Sequence, residues 1–125
     1  MKARCAVEIA AASTAACIVT LRGDHDPHTA DAVAGVMGLA SAYRYILVDL
    51  VECTFLDSSL IRTLVGAAHQ ALSRGGALEL VVPPDRSPVR RTLEIAHIDD
   101  LLAFHSTRAA GLASLAKRPG GPSRA

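Results

Sequence analysis

The chain has 125 residues, a length typical of one domain with a single core. Half of its residues are apolar but only 3% are aromatic, so the core must consist mainly of aliphatic side chains. The formal net charge of +1 argues against the strongly basic surface that binding to nucleic acid or to a membrane normally requires.

The cellular compartment is indicated by what the sequence lacks. Three cysteines provide no disulfide framework, which favours a reducing environment. No apolar run approaches the roughly 20 residues that span a bilayer, and the N-terminus does not have the pattern of a signal peptide. We therefore expect a cytoplasmic protein whose partners include neither nucleic acid nor a membrane.

The chain opens with the pattern of a hairpin followed by a helix. Apolar residues at every second position predict a strand over residues 5–10, and residues 17–22 are predicted as its hairpin partner. Gly23 is expected to end that strand, and the polar segment 24–29 is predicted as a loop. Apolar residues at helical spacing then predict a helix over residues 33–42.

The rest of the chain alternates strands and helices. Residues 45–50 form a nearly continuous apolar run, typical of a strand covered on both faces. An amphipathic helix begins at Ser58 or Ser59 and ends at Gly75 and Gly76. The further predicted elements are a strand over 77–82, a helix capped by Ser87, a short edge strand over 101–104, and a helix from Ser106 to about Lys117.

This order of elements predicts an α/β fold in one domain over residues 1–117. Because strands alternate with helices after an opening hairpin, we expect a mixed four- to five-stranded sheet packed with about four helices. Residues 118–125, which are rich in Pro and Gly, are predicted to form a disordered C-terminal tail.

Residues 48–59 carry the most chemical information, because an apolar strand runs there into Asp57, Ser58 and Ser59 at the start of a helix. A helix start exposes unpaired backbone N–H groups and the positive end of the helix dipole. A phosphate on either serine would therefore lie in a favourable field. The residues alone also fit a simple helix cap, since Asp and Ser are preferred cap residues.

The order and spacing of these segments resemble the STAS domain, the fold of bacterial anti-sigma factor antagonists. The resemblance extends over nearly all of residues 7–115. It rests on Gly-Asp-His-Asp at 23–26, the strand at 46–50, Thr-Phe-Leu-Asp-Ser-Ser at 54–59, Arg-Gly-Gly at 74–76, and the segments 91–95 and 99–101. Each segment is short, and their combination in this order is what makes the resemblance specific.

The resemblance implies a switch by phosphorylation. Ser58 would be the phosphate acceptor, and the unphosphorylated protein would bind an anti-sigma factor with serine kinase activity and displace the sigma factor. A phosphatase would restore the unphosphorylated form. Phosphate adds about −1.5 to −2 charges, which changes binding without unfolding the domain.

The expected partner-binding surface includes one departure from the family. Members usually have Gly after the two hydroxyl residues, whereas this chain has Leu60, a bulky side chain beside the acceptor. The predicted surface comprises Asp24, Asp26, Asp57, Ser58, Ser59, Leu60 and Arg62. The alternative is an accessory STAS subunit that is not phosphorylated, such as the partner of a lipid-transporter ATPase or part of a stress-signalling complex.

Other candidate sites have simpler interpretations. His25 and His28 lie among acidic residues and invite a metal-site interpretation, but their spacing is unspecific and a solvated loop is expected. Cys53 is expected in the core, and Asp49 is expected to bond loop backbone. The chain lacks both the Gly-x-Ser-x-Gly elbow and glycine-rich phosphate loops, so we expect no catalytic residues, no metal and no cofactor.

Overall fold

The computed structural model describes residues 6–25, 27–84 and 86–118. Its strands are β1 (Ala6–Ala11), β2 (Ala16–His25), β3 (Tyr45–Asp49), β4 (Cys53–Leu56), β5 (Ala77–Val81) and β6 (Phe104–His105). Its α-helices are α1 (Ala30–Ala40), α2 (Ser58–Ser73), α3 (Pro88–Ile95) and α4 (Arg108–Ala116), with 3-10 turns at Pro27–Thr29 and Ile98–Asp100. Cys5, Asp26 and residues 119–125 of the predicted tail lie outside the described residues. Arg118, the first residue of that predicted tail, is hydrogen-bonded to Glu79 and does not fit a disordered segment.

The strands form one mixed sheet, as predicted. The order is β1-β2-β3-β5-β6, in which β1 and β2 are an antiparallel hairpin and the other neighbours are parallel. β4 lies off this path and pairs in parallel with the end of β2. The predicted α/β class, the opening hairpin and the four helices are confirmed, and β4 is a strand that the sequence pattern did not indicate.

Two hydrophobic clusters fill the two sides of the sheet. The larger cluster packs side chains such as Val19, Ile46 and Val48 against α1, α2 and α3. The smaller cluster lies under α4 and includes Tyr45 and Leu47, which alternate with the residues of the larger cluster. Since both sides are covered, the central strand β3 is buried along its whole length, as the apolar run predicted.

The second strand is longer than predicted. β2 continues through Gly23 to His25, although Gly23 has a φ of +80° and the register shifts between Gly23 and Asp24. Pairing with β4 supplies hydrogen-bond partners to this irregular end, which forms a bulge. The expectation that Gly23 ends the strand was therefore wrong, and Asp24 belongs to β2 and not to a loop.

Several predicted helix ends are confirmed. Gly75, with a φ of +81°, and Gly76 close α2, and the Gly76 N–H donates to the Ala71 carbonyl at 2.8 Å. Ser87 caps α3 by accepting from the Val89 N–H at 3.2 Å. Among the described residues, no helix has both the length and the apolar character needed to cross a membrane.

The C-terminal elements begin later than predicted. The edge strand lies at Phe104–His105 and not at 101–104, because the N–H groups of Leu101 and Leu102 are already bonded to the Ile98 carbonyl in a turn. α4 is capped by Thr107 and not by Ser106, since the Thr107 hydroxyl oxygen accepts from the Ala110 N–H at 3.0 Å.

Candidate functional site

The ends of β2 and β4 bring two predicted segments together. Asp24 lies opposite Phe55 in the register of the two strands, and His25 lies opposite Leu56. The chain then enters α2, where the Asp57 N–H donates to the His25 carbonyl at 2.9 Å. The structure therefore places Asp24 near the start of α2.

Asp57 caps the N-terminus of α2. Its carboxylate accepts hydrogen bonds from the hydroxyl of Ser59 at 2.6 Å and from the Ser59 backbone N–H at 2.9 Å. These two bonds hold the pKa of Asp57 below its ordinary value, because they stabilise the ionised form. The cap interpretation is thus correct for Asp57, and Ser59 is the helix residue that donates to this cap.

Ser58 differs from Ser59 although the two are adjacent. It is the first residue of α2 and is exposed, whereas Ser59 is half-buried. Among the residues that the structure describes, no side chain or carbonyl forms a hydrogen bond with the Ser58 hydroxyl. The exposed Arg62 follows one helical turn later on the same side of α2. Ser58 is therefore the accessible hydroxyl of the pair, with a cation on the same side of the helix.

Leu60 does not belong to this surface. Its side chain is 0% exposed and packs in the larger core cluster with Ile61 and Leu64. It occupies the third position of α2, where the helix turns its side chain toward the sheet. The structure thus contradicts the prediction that Leu60 forms part of the partner-binding surface.

Leu60→Ala is expected to lower the free energy of unfolding by about 2–5 kcal/mol, because it opens a cavity in a packed core. Urea unfolding followed by circular dichroism measures this loss. Ser58→Ala, at the exposed neighbouring position, is the matched control and should change stability by less than about 0.5 kcal/mol. A small effect of Leu60→Ala would mean that the side chain is not packed as described.

Phe55 is a feature of the site that the sequence pattern did not reveal. Its side chain is 48% exposed, and its register partner is Asp24. Thr54, also exposed, donates its hydroxyl to the carboxylate of Asp24. An exposed aromatic ring is a common anchor of protein interfaces. We call Asp24, Phe55, Ser58, Ser59 and Arg62 the Ser58 surface.

The expectation that His25 lies in a solvated loop was wrong, because His25 is the last residue of β2. Its side chain is buried, with Nδ1 3.0 Å from the Thr29 hydroxyl and Nε2 2.9 Å from the Arg22 carbonyl. The carbonyl can only accept, so the His25 Nε2–H donates to it. Within residues 6–25, 27–84 and 86–118, no group of three or more His, Cys, Asp or Glu side chains could hold a metal ion.

The other singled-out residues have structural roles. Cys53 is buried in the core, as expected, and burial raises the pKa of the Cys17 thiol to about 11, so that thiol stays protonated at neutral pH. Asp49 accepts from the Val51 N–H at 2.9 Å, which confirms the predicted bond to loop backbone. It also pairs with Arg108 at 2.5 Å, a contact that the sequence did not indicate.

Comparison with protein families identifies the fold. A family model described as Mlab, STAS domain, matches residues 9–103, which include the whole Ser58 surface. The chain belongs to the STAS domain family. The resemblance drawn from the short segments is thereby confirmed. No curated protein sequence matches the chain significantly.

Solved structures of anti-sigma factor antagonists have the same fold. An anti-sigma factor antagonist from Mycobacterium paratuberculosis matches with a TM-score of 0.79 and 20% identity, covering 91% of this chain and 97% of its own. The anti-sigma factor antagonist SpoIIAA in its unphosphorylated form matches with a TM-score of 0.75 and 17% identity, covering 87% and 95%. The Bacillus cell fate determinant SpoIIAA in the phosphorylated form matches with a TM-score of 0.69 and 16% identity, covering 87% and 98%.

Proposed function

We propose that this STAS domain is an anti-sigma factor antagonist, a regulatory binding protein and not an enzyme. Its Ser58 surface binds an anti-sigma factor with serine kinase activity and displaces the sigma factor. Phosphorylation of Ser58 by that partner causes the complex to dissociate, and a phosphatase restores the unphosphorylated form. The observation that carries the proposal is the exposed Ser58 hydroxyl at the N-terminus of α2, next to a second serine that is occupied in the cap.

The charges and dipoles around Ser58 would stabilise a phosphate there, so the domain could carry it without unfolding. The backbone N–H groups at the start of α2 and the positive end of its dipole favour an anion there. Arg62 adds a positive charge on the same side of the helix. The carboxylate of Asp57 is adjacent, but its two hydrogen bonds from Ser59 stabilise its own charge. The phosphorylated domain is therefore expected to stay folded.

The position of Ser58 explains how a phosphate would prevent binding. The exposed Phe55 lies three residues before Ser58 in the chain, and an aromatic anchor requires close packing against a partner. A group of about −1.5 to −2 charges inserted into that contact would have to lose its hydration without a new counter-ion. Binding and phosphorylation would thus exclude each other.

Three of the similar structures lend support to this cycle. The Mycobacterium paratuberculosis protein is described as an anti-sigma factor antagonist, and SpoIIAA has been solved in an unphosphorylated and a phosphorylated form. A domain of this fold can therefore exist in both states. We carry the role over to this chain because its Asp57-Ser58-Ser59 segment provides one accessible hydroxyl at the start of a helix.

Phosphate transfer tests the proposal directly. The purified protein is incubated with ATP, magnesium and each purified kinase-type anti-sigma factor of the source genome, and phosphopeptides are mapped by mass spectrometry. We expect one cognate partner to place a single phosphate on Ser58, because that hydroxyl is the accessible one. Ser58→Ala should remain unmodified, while Ser59→Ala should still be modified at Ser58.

The phosphate-transfer assay, combined with a pull-down of the same purified partners by the wild-type protein and by Ser58→Ala, separates the alternative roles. Phosphate on Ser59 in the wild-type protein would contradict the assignment of the acceptor. Binding of a partner without phosphate transfer, equal for the wild-type protein and Ser58→Ala, would instead favour an accessory STAS subunit that is not phosphorylated. An absence of binding to every kinase-type anti-sigma factor would contradict the proposed role as a whole.

A further inference from the structure

The face of the sheet that packs against α4 has polar groups in its centre. It is built from alternate residues of β2, β3 and β5. Thr20, Asp49 and Glu79 belong to this alternating set, and they therefore lie on the same side of the sheet as the apolar residues of the smaller cluster. Thr20 is 6% exposed, Asp49 is 7% exposed and Glu79 is 1% exposed. Buried carboxylates require partners, and these come from α4, from Arg118 two residues past its end, and from His105 of β6.

An arginine at the start of α4 bonds to the first carboxylate. The Arg108 Nε donates to the Asp49 carboxylate at 2.5 Å, and its Nη2 donates to the Thr20 hydroxyl at 2.8 Å. The Arg108 side chain is 47% exposed, so solvent and salt reach this pair from the helix side. We call these contacts the first clamp.

A second arginine, just past the end of α4, bonds to the other carboxylate. The Arg118 Nε and Nη2 donate to Glu79 at 3.0 and 2.9 Å, and the His105 Nε2 lies 2.7 Å from the other carboxylate oxygen. The Ser114 side chain also donates to Glu79. The Arg118 side chain is 42% exposed. We call these contacts the second clamp.

The apolar contact between the two clamps is small. Of the residues of α4, only Gly111 and Leu115 are buried, and Leu112 is partly buried. Gly111 lies close to the sheet, since a Cβ atom at this position would be 2.6 Å from the Leu47 side chain. α2, by contrast, buries five residues against the other side of the sheet. α4 therefore covers this face with few buried side chains of its own, and charged groups hold it at both ends.

We propose that α4 is a releasable cover, held at its two ends by the arginine clamps, that opens from the sheet while the rest of the domain stays folded. On release, Asp49 and Glu79 gain water in place of arginine, so the opened face does not leave these charges buried without partners. Opening exposes only the smaller cluster and leaves the larger core intact. Salt shifts this equilibrium toward opening, because it screens pairs that are half-exposed on the arginine side.

Hydrogen–deuterium exchange of the full chain, followed by peptide mass spectrometry, tests this proposal. The α4 amides of the wild-type protein should exchange at least about tenfold faster than those of α2, through local opening. Raising NaCl from about 0.02 M to about 1 M should accelerate exchange in α4 and leave α2 unchanged. Asp49→Asn and Glu79→Gln should each accelerate α4 further, and the double variant should lose the salt effect.

The control is Glu8→Gln, which removes the exposed ion pair with Arg22 at the opposite edge of the sheet. It should leave the exchange of α4 and its salt dependence unchanged. The proposal is overturned if α4 and α2 of the wild-type protein exchange at one rate, or if salt has no effect on α4. It is also overturned if the clamp variants accelerate both helices equally, because α4 would then open only with the whole domain. The wild-type measurement decides the question even if a clamp variant fails to fold.

Discussion

Ser58→Asp is expected to weaken binding of the cognate anti-sigma factor by about 100-fold or more, because an unpaired charge in a packed contact costs several kcal/mol. Ser58→Ala, which removes only the hydroxyl, should bind nearly as the wild-type protein does. The melting temperature of both variants should stay within about 4 °C of the wild type, because Ser58 is exposed and the helix dipole tolerates the added carboxylate. Titration calorimetry and differential scanning fluorimetry measure the two quantities.

A charge change elsewhere on α2 provides the control for this result. Gln70→Glu adds a negative charge on the same helix at an exposed position about 18 Å along the axis from Ser58. It should leave binding within about twofold of the wild type. Equal affinity of Ser58→Asp and the wild-type protein would remove Ser58 from the interface. A large loss of stability in Ser58→Asp would instead show that the hydroxyl has a structural role.

The choice between the two serines could be made from cap geometry. A cap side chain accepts from the second or third residue of the helix, so a cap at Asp57 engages Ser59 and leaves Ser58 free. The structure has this arrangement, with both bonds to Ser59. The sequence therefore contained the signal that distinguishes the accessible hydroxyl, once Asp57 is assigned as the cap.

The burial of Leu60 was also contained in the helical pattern. Leu60 lies one turn before Leu64, and both are buried on the side of α2 that faces the sheet. Leu60 was assigned to the partner surface because the family usually has glycine at this position. The 3.6-residue period of the helix instead predicts that its side chain points toward the sheet. The period is the more reliable guide here because one face of the helix must cover the sheet.

The features that could not be predicted depend on contacts between distant parts of the chain. β4 has only four residues, and it pairs with the end of β2, which lies far earlier in the sequence. His25 is buried because Thr29 and the Arg22 carbonyl satisfy both of its ring nitrogens. Neither arrangement produces a recognisable pattern in the neighbouring sequence. The exposure of Phe55 follows from the same pairing, so the aromatic part of the site appears only in three dimensions.

Glu79 is the clearest case of a residue whose role the sequence hides. It lies inside an apolar strand that was predicted from its neighbours, and its partners come from β6 and from the end of α4. Burial raises the pKa of Glu79, but hydrogen bonds from Ser114, His105 and Arg118 outweigh this effect and hold the pKa below its ordinary value. The ionised carboxylate is therefore stabilised by folding.

Glu79→Gln is expected to lower the free energy of unfolding by about 2 kcal/mol at pH 7, because charge-assisted hydrogen bonds are lost. The pKa of Glu79 is lower in the folded state, so its contribution is complete above the ordinary value of 4.5 and is lost as the pH falls through the folded pKa. The difference between the variant and the wild-type protein should therefore shrink toward zero in acid. Urea unfolding between about pH 7 and pH 3 measures it.

Glu8→Gln is the control for Glu79→Gln, because it also replaces a carboxylate by an amide but does so at an exposed position. Glu8 pairs with Arg22 at the exposed edge of the sheet, where an ion pair contributes little. This variant should stay within about 0.5 kcal/mol of the wild-type protein at pH 7. If Glu79→Gln had the same small effect, or an effect that did not change with pH, the carboxylate would not be held in its charged form by the fold. A loss that appears at neutral pH and disappears in acid follows only from a buried, ionised Glu79 that ties the last helix to the sheet.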